Sequence, residues 1–226
     1  MKRFNIFYQI HKGLRELLYQ TGSLVQQTDF TCKEECAELS DRLNDLLDLF
    51  DLHAESEDNF VLPAIVNVEP AAVLDFEKEH EQDHALGDRL RALLNMFHHA
   101  ISSEEKSELG SAIRAAYVSF TVFNLEHMAK EESYLNGLLW QYYNDEQLMS
   151  FTTKIIAHIP AAASQQYNTW MMRGLSNTEI AVWLKKIKDM APEPVFEKML
   201  DLAATELPES RWQTIREFFT EGTLVA

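Results

Sequence analysis

The sequence predicts an all-α protein: an up-down-up-down four-helix bundle with a small C-terminal helical appendage. Three observations predict it. Apolar residues recur at helical spacing along four long stretches. Glycine (7) and proline (6) are scarce in 226 residues, which starves a β-sandwich of turn residues. Four of the six prolines, Pro160, Pro192, Pro194 and Pro208, fall in the last third, where the helical stretches shorten.

The first helix is expected over residues 4–27, on Phe4, Ile6, Phe7, Ile10, Leu14, Leu17, Leu18 and Val25. Thr28-Asp29-Phe30-Thr31 interrupts it and can cap the next helix. That second helix is expected over 32–66, with a stripe of Cys36, Leu39, Leu43, Leu46, Leu47, Phe50 and Leu52. Pro63 should kink or trim its last turns, because proline removes a backbone donor. Pro70 suits the first turn of a third helix over 71–101. Ser102-x-x-Glu105 is a capping-box pattern opening a fourth over 103–138. Shorter helices are expected over 145–158, 167–172, 177–190, 195–206 and 209–219; Ser176-x-x-Glu179 caps the third of these. The expected domains are the bundle, 1–143, and an extension packed on it, 144–226.

Composition narrows the function. Lys and Arg number 20 against 36 Asp and Glu, a formal net charge of −16. Such a surface repels phosphate, so neither nucleic acid nor an anionic membrane is an expected partner. Hydrophobic residues at 46% and charged residues at 25% are ordinary globular values, sufficient for a sizeable core. No apolar run reaches the roughly 18 residues of a membrane span. The opening MKRFNIFYQIHKGLREL lacks a sustained apolar stretch and reads as mature protein. Cys32 and Cys36 make no disulfide framework, so reduced thiols and a cytoplasmic location are expected. Both lie too far from His53 along the helix, roughly 30 and 25 Å, to share a site with it.

The chemistry lies in five histidines. His11 is on helix one. His53-x-x-x-Glu57, His80-x-x-x-His84 and His127-x-x-x-Glu131 stand on helices two, three and four. Residues four apart share a helical face, so each pair offers two donors to one site. In an antiparallel bundle, residues at one level lie equally far from the turn that joins their helices. Halfway between His11 and the His53/Glu57 pair is residue 33, beside the Thr28–Thr31 break. The next midpoint falls at Val68-Glu69, and the last near residue 105, beside Ser102. The seven side chains therefore share one layer of the bundle.

Five imidazoles and two carboxylates exceed the needs of one tetrahedral zinc. They suit two metals. If both carboxylates and one further oxygen bridge, all but one position of two octahedra is filled, leaving one for a small ligand. Glu77-x-x-His80 and Glu81-x-x-His84 also match a ferritin-like motif, but both copies share one helix and that fold needs two. Glu55, Asp58, Glu79, Glu81 and Asp83 flank the motifs, as a solvated face or as partners for the ring N–H groups. Tyr117, Phe120 and Phe123 read as core, with the option of an apolar pocket beside the site. His98, His99 and His158 do not fit the layer.

This histidine and carboxylate pattern resembles the hemerythrin-like (HHE cation-binding) family over residues 4–143. The resemblance implies a bundle around two non-haem iron ions with oxo and carboxylate bridges. It implies His11, His53, His80, His84 and His127 as terminal ligands and Glu57 and Glu131 as bridges; zinc or manganese can substitute. Oxygen-carrying members have an aspartate five residues after the last histidine. Here Glu131 and Glu132 stand at four and five. Helical phase prefers Glu131, and Glu132 stays open. The spacings between helices exceed those of the compact carriers and look more like the domain of an iron-sensing ubiquitin-ligase adaptor. The expected function is binding or sensing of a small ligand (O2 or NO), or of iron or redox state. The alternative is an enzyme acting on NO or peroxide, or in iron–sulfur centre repair. A third reading is a structural metal role without turnover. The pattern places no tyrosine or extra carboxylate demonstrably in the site and discriminates these readings poorly, with binding or sensing favoured over an enzyme. The extension is a candidate surface for a protein partner.

Overall fold

The structure is a computed structural model and describes residues 3–221, with side chains as far as Phe219. All regular structure among the described residues is helical. Two compact units form: Met1–Tyr8 with Leu17–Ala163, and Gln9–Glu16 with Ser164–Ala226. Residues 1–2 and 222–226 of the expected domains lie outside the described residues.

The long helices are α1 (Tyr8–Gln27), α2 (Lys33–Phe60), α4 (Pro70–His99) and α5 (Ser103–Lys130). α1 starts later than expected: ahead of it the Asn5 side chain accepts from Phe7 N and Tyr8 N and holds the backbone in a turn. α2 ends at Phe60, and Pro63 sits in the first turn of the short α3 (Leu62–Ile65). Pro70 opens α4, and Ser102 caps α5 by accepting from Glu105 N at 3.1 Å. The return half of the expected capping box is displaced: Glu105 accepts from Ile101 N.

Each long helix buries one line of residues. On α4 it is Phe76, His80, Asp83, Gly87, Leu90, Leu94 and Phe97, alternating steps of three and four. On α5 it includes Ile113, Tyr117, Phe120, Asn124 and His127. α4 and α5 run antiparallel, as the pairs Glu79/His127 and Asp83/Asn124 show. So do α2 and α4, through Asp58/His80, Asp51/His84 and Ser40/His98.

α5 does not continue regularly. Glu131–Leu135 is a π turn, followed by α6 (Asn136–Tyr142). His127, Glu131, Leu135 and Leu139 are all buried and come every four residues. A regular helix of 3.6 residues per turn would carry that line steadily off the core. The wider π turn, bonded i to i+5, absorbs the excess. The chain's start fastens here: Asn5 Nδ2 donates to the Glu132 carbonyl, and Ile6 N to Asn136 Oδ1.

Beyond the π turn, α7 (Asp145–His158) belongs to the bundle unit. Leu148, Phe151 and Ile155 pack with Phe7, Val61, Leu62, Ile65, Phe76, Leu135 and Leu139. The first unit therefore reaches Ala163 instead of stopping at 143. The second unit holds most of α8 (Ala161–Gly174), with α9 (Asn177–Met190), α10 (Glu193–Glu206) and α11 (Glu209–Glu221). Its core is Met172, Leu175, Ile180, Leu184, Met199, Ala203, Leu207 and Ile215. Residues 9–16 fold with it because glycines let two backbones meet. A Cβ on Gly13 would lie 2.8 Å from Met171 N, and one on Gly174 would overlap the Lys12 carbonyl. No helix among the described residues is long and apolar enough to cross a membrane.

Candidate metal centre

Where α2, α4 and α5 face one another, the buried lines turn from apolar to polar. Glu57, His80, His127 and Glu131 are all buried, and Glu131 is 0% exposed. Each offers one ligand atom, and these four atoms lie within 4.8 Å of one another. His53, Glu57 and Glu131 likewise offer atoms within 4.8 Å of one another. The two groups share both carboxylates.

The contacts are direct. His53 Nε2 is 3.3 Å from Glu57 Oε1, and His80 Nε2 is 3.3 Å from Glu57 Oε2. His127 Nε2 is 3.1 Å from Glu131 Oε1, which is 3.8 Å from His80 Nε2. The other ring nitrogens face carboxylates as well. His80 Nδ1 is 2.6 Å from Asp58 Oδ1, and His127 Nδ1 is 2.8 Å from Glu79 Oε2. Lys130 Nζ bonds the other oxygen of Glu79. Phe123 stacks on the His127 ring at 5.8 Å, and Phe76 meets it edge-on at 6.0 Å.

The electrostatics call for a cation. Burial alone would lower the pKa of His80, but Asp58, Glu131 and Glu57 outweigh it and push His80 up to about 12. His127 goes up to about 9 against the same burial, through Glu131, Glu57 and Glu79. Glu79 falls below the usual carboxylate range: burial opposes this, but bonds from Lys130 and His127 prevail. Imidazole nitrogen and carboxylate oxygen bind iron or zinc at about 2.0–2.2 Å, so donors across one ion stand up to about 4.4 Å apart. The donor set and its spacing fit a metal.

His11 is wholly buried on α1, in line with Phe7, Leu14, Leu18, Thr21 and Val25. Glu131 joins the donor groups, whereas Glu132 is partly exposed in the π turn. His84 stands apart. Its side chain is 45% exposed, its Nδ1 is 3.0 Å from Asp51, and it joins neither donor group. The reason is helical phase: three residues on from His80 the buried line passes through Asp83, and His84 falls beside it. Asp83 accepts from Asn124 Nδ2 at 2.6 Å. Burial drives the Asp83 carboxyl up in pKa, against that bond. Of the flanking carboxylates, Asp58 and Glu79 meet ring nitrogens, while Glu55 and Glu81 are exposed. Spacing alone does not single out Asp51 or Lys130. Asn124 was recoverable, three residues before His127 on the inward face.

The family of the hemerythrin HHE cation-binding domain matches residues 3–139. This chain belongs to that family. The hemerythrin HHE domain here spans α1 to most of α6, and every residue of both donor groups lies inside it. Comparison with curated proteins and with solved structures found no match in either.

Proposed function

We propose that this hemerythrin HHE domain holds two non-haem iron ions and binds or senses a small diatomic ligand (O2 or NO), or iron or redox state. One observation carries the proposal: Glu57 and Glu131 belong to both donor groups. Two carboxylates common to two sets of imidazoles are what a bridged pair of ions needs. His53 would hold one ion and His80 with His127 the other. The spacing of the sequence adds His11 to the first. When bound, the pair would supply redox chemistry and Lewis acidity toward a small ligand. The chain's own contribution is to hold the imidazoles, and to limit water with Phe76 edge-on to His127 and Phe123 stacked on it. His84, which joins neither donor group, is left out of the proposed ligand set. Zinc or manganese can occupy the same donors, since availability helps decide which ion binds. The helices after the family match are the proposed surface for a protein partner, in a cytoplasmic setting.

The test is reconstitution with ferrous iron without oxygen, then air, then removal of oxygen, followed by visible absorption. About two irons per chain and a band that appears and reverses are expected on this reading. Irreversible oxidation would shift the assignment to an enzyme or a redox sensor. Glu57→Ala and Glu131→Ala should each lower bound iron well below wild type, and His84→Ala should leave it nearly unchanged. Full loading in the two glutamate variants would end the two-iron reading.

A further inference from the structure

We propose that Asp58 and Glu79 are positioning residues of this centre, orienting His80 and His127 through Nδ1, with Lys130 holding Glu79 in place. The inference rests on the two-ion reading. An ionised carboxylate can only accept a hydrogen bond. Asp58 at 2.6 Å and Glu79 at 2.8 Å therefore fix the ring proton on Nδ1. In the neutral ring that leaves the Nε2 lone pair for a metal. Those Nε2 atoms are the ones that face Glu57 and Glu131. The carboxylates reach the rings from outside the cluster. Asp58 follows Glu57 on α2, and Glu79 precedes His80 on α4, so each helix supplies a donor and an orienting group in adjacent positions. The two links differ. Lys130, with its ammonium over the Phe76 ring, offsets the charge of Glu79. His84 provides an internal comparison: Asp51 bonds its Nδ1 in the same way, but the ring is outside the donor groups.

Cobalt(II) titration of the full chain, with visible spectra, tests this. Asp58→Asn and Glu79→Gln keep size and should weaken cobalt binding about ten- to hundredfold and shift the absorption bands. Lys130→Met, on the exposed side of the link, should weaken it less and in the same direction. Asp51→Asn should leave affinity and spectrum unchanged. In the zinc-loaded protein the Nδ1–H proton signal of His127 should move in Glu79→Gln, which a loss of packing alone would not produce. Wild-type affinity and spectrum in both Asp58→Asn and Glu79→Gln would overturn the positioning role while the two-ion reading stood. A wild-type chain that takes up no cobalt would overturn both.

Discussion

At His80, burial and charge pull in opposite directions. The ring is 2% exposed, which disfavours its charged form, yet Asp58, Glu131 and Glu57 push its pKa up to about 12. His127 is raised as well, to about 9. Without metal the proton stands in for the cation, and this sets the sign of the pH dependence. A group whose folded pKa is raised stabilises the fold fully below its unfolded pKa, about 6.5, and loses that contribution as pH rises through the folded value. Metal-stripped protein should therefore lose stability as pH rises from about 6.5, through 9 and on towards 12. The metal-loaded protein should behave oppositely, since acid protonates the ligands and releases the ion. Urea midpoints across that range, with and without metal, would check both trends. A metal-free midpoint that rises between about pH 7 and 9 would contradict the proton's role. Proximity was legible where spacing carried it: His53, Glu57, His80, His127 and Glu131 bring their donor atoms together. At His84 spacing misleads, because a four-residue step does not guarantee a shared inward face. The two positions are about 40° apart on a helix, and the buried line turns the other way, to Asp83.

The four long helices were legible because each long stripe is periodic and each break carries its own chemistry; α3 and α6 were not foreseen as separate elements. The π turn was not foreseen, although four buried residues at strict four-residue spacing signal a departure from 3.6. Also hidden was how α5 comes close to the α1–α2 turn. Gly110 gives way to the Phe30 ring, which sits edge-on to Phe97 at 5.4 Å and under the Arg114 guanidinium at 4.7 Å. A Cβ at Gly110 would overlap that ring. Gly110→Ala gains about 1 kcal/mol in helix propensity but overpacks the contact, at about 1–3 kcal/mol. The net effect should be destabilising. At Gly137 nothing lies within 4 Å of an added Cβ, so Gly137→Ala should be neutral or stabilising by up to about 1 kcal/mol. Urea midpoints at unchanged slope would read both. A rise for Gly110→Ala would show that Phe30 leaves its place without loss.

The chain does not divide at the point where its long helices end. A break at 143 looks natural in sequence, since Asn144 caps a new, shorter helix. The side chains α7 sends into the bundle core are visible only in three dimensions, as is the return of α8 to residues 9–16. Leu148 is wholly buried, and Phe151 and Ile155 pack beside it. Full burial of such a side chain stabilises by about 1.5–3 kcal/mol; Leu148 gains all of it and the half-buried Phe151 and Ile155 a part, so their joint loss removes a large share of the stability of an ordinary domain. A fragment of residues 1–143 should therefore be unfolded or melt far below the full chain. A fragment of residues 1–163 keeps α7 but strips residues 9–16 of Met171, Gly174 and Glu179. Lys12 Nζ lies 2.6 Å from Glu179 Oε2; burial opposes ionisation there, but Lys12 and Ser176 hold Glu179 down to about 2. Its stabilising contribution is present above its unfolded pKa, near 4.5, and fades only as pH falls towards 2. At neutral pH the 1–163 fragment should thus melt between the other two, while in acid the full chain loses that part of its advantage. Thermal unfolding of the three chains at about pH 7 and about pH 3 would measure it. Equal melting of 1–143 and 1–163 would show that α7 adds nothing to the bundle core.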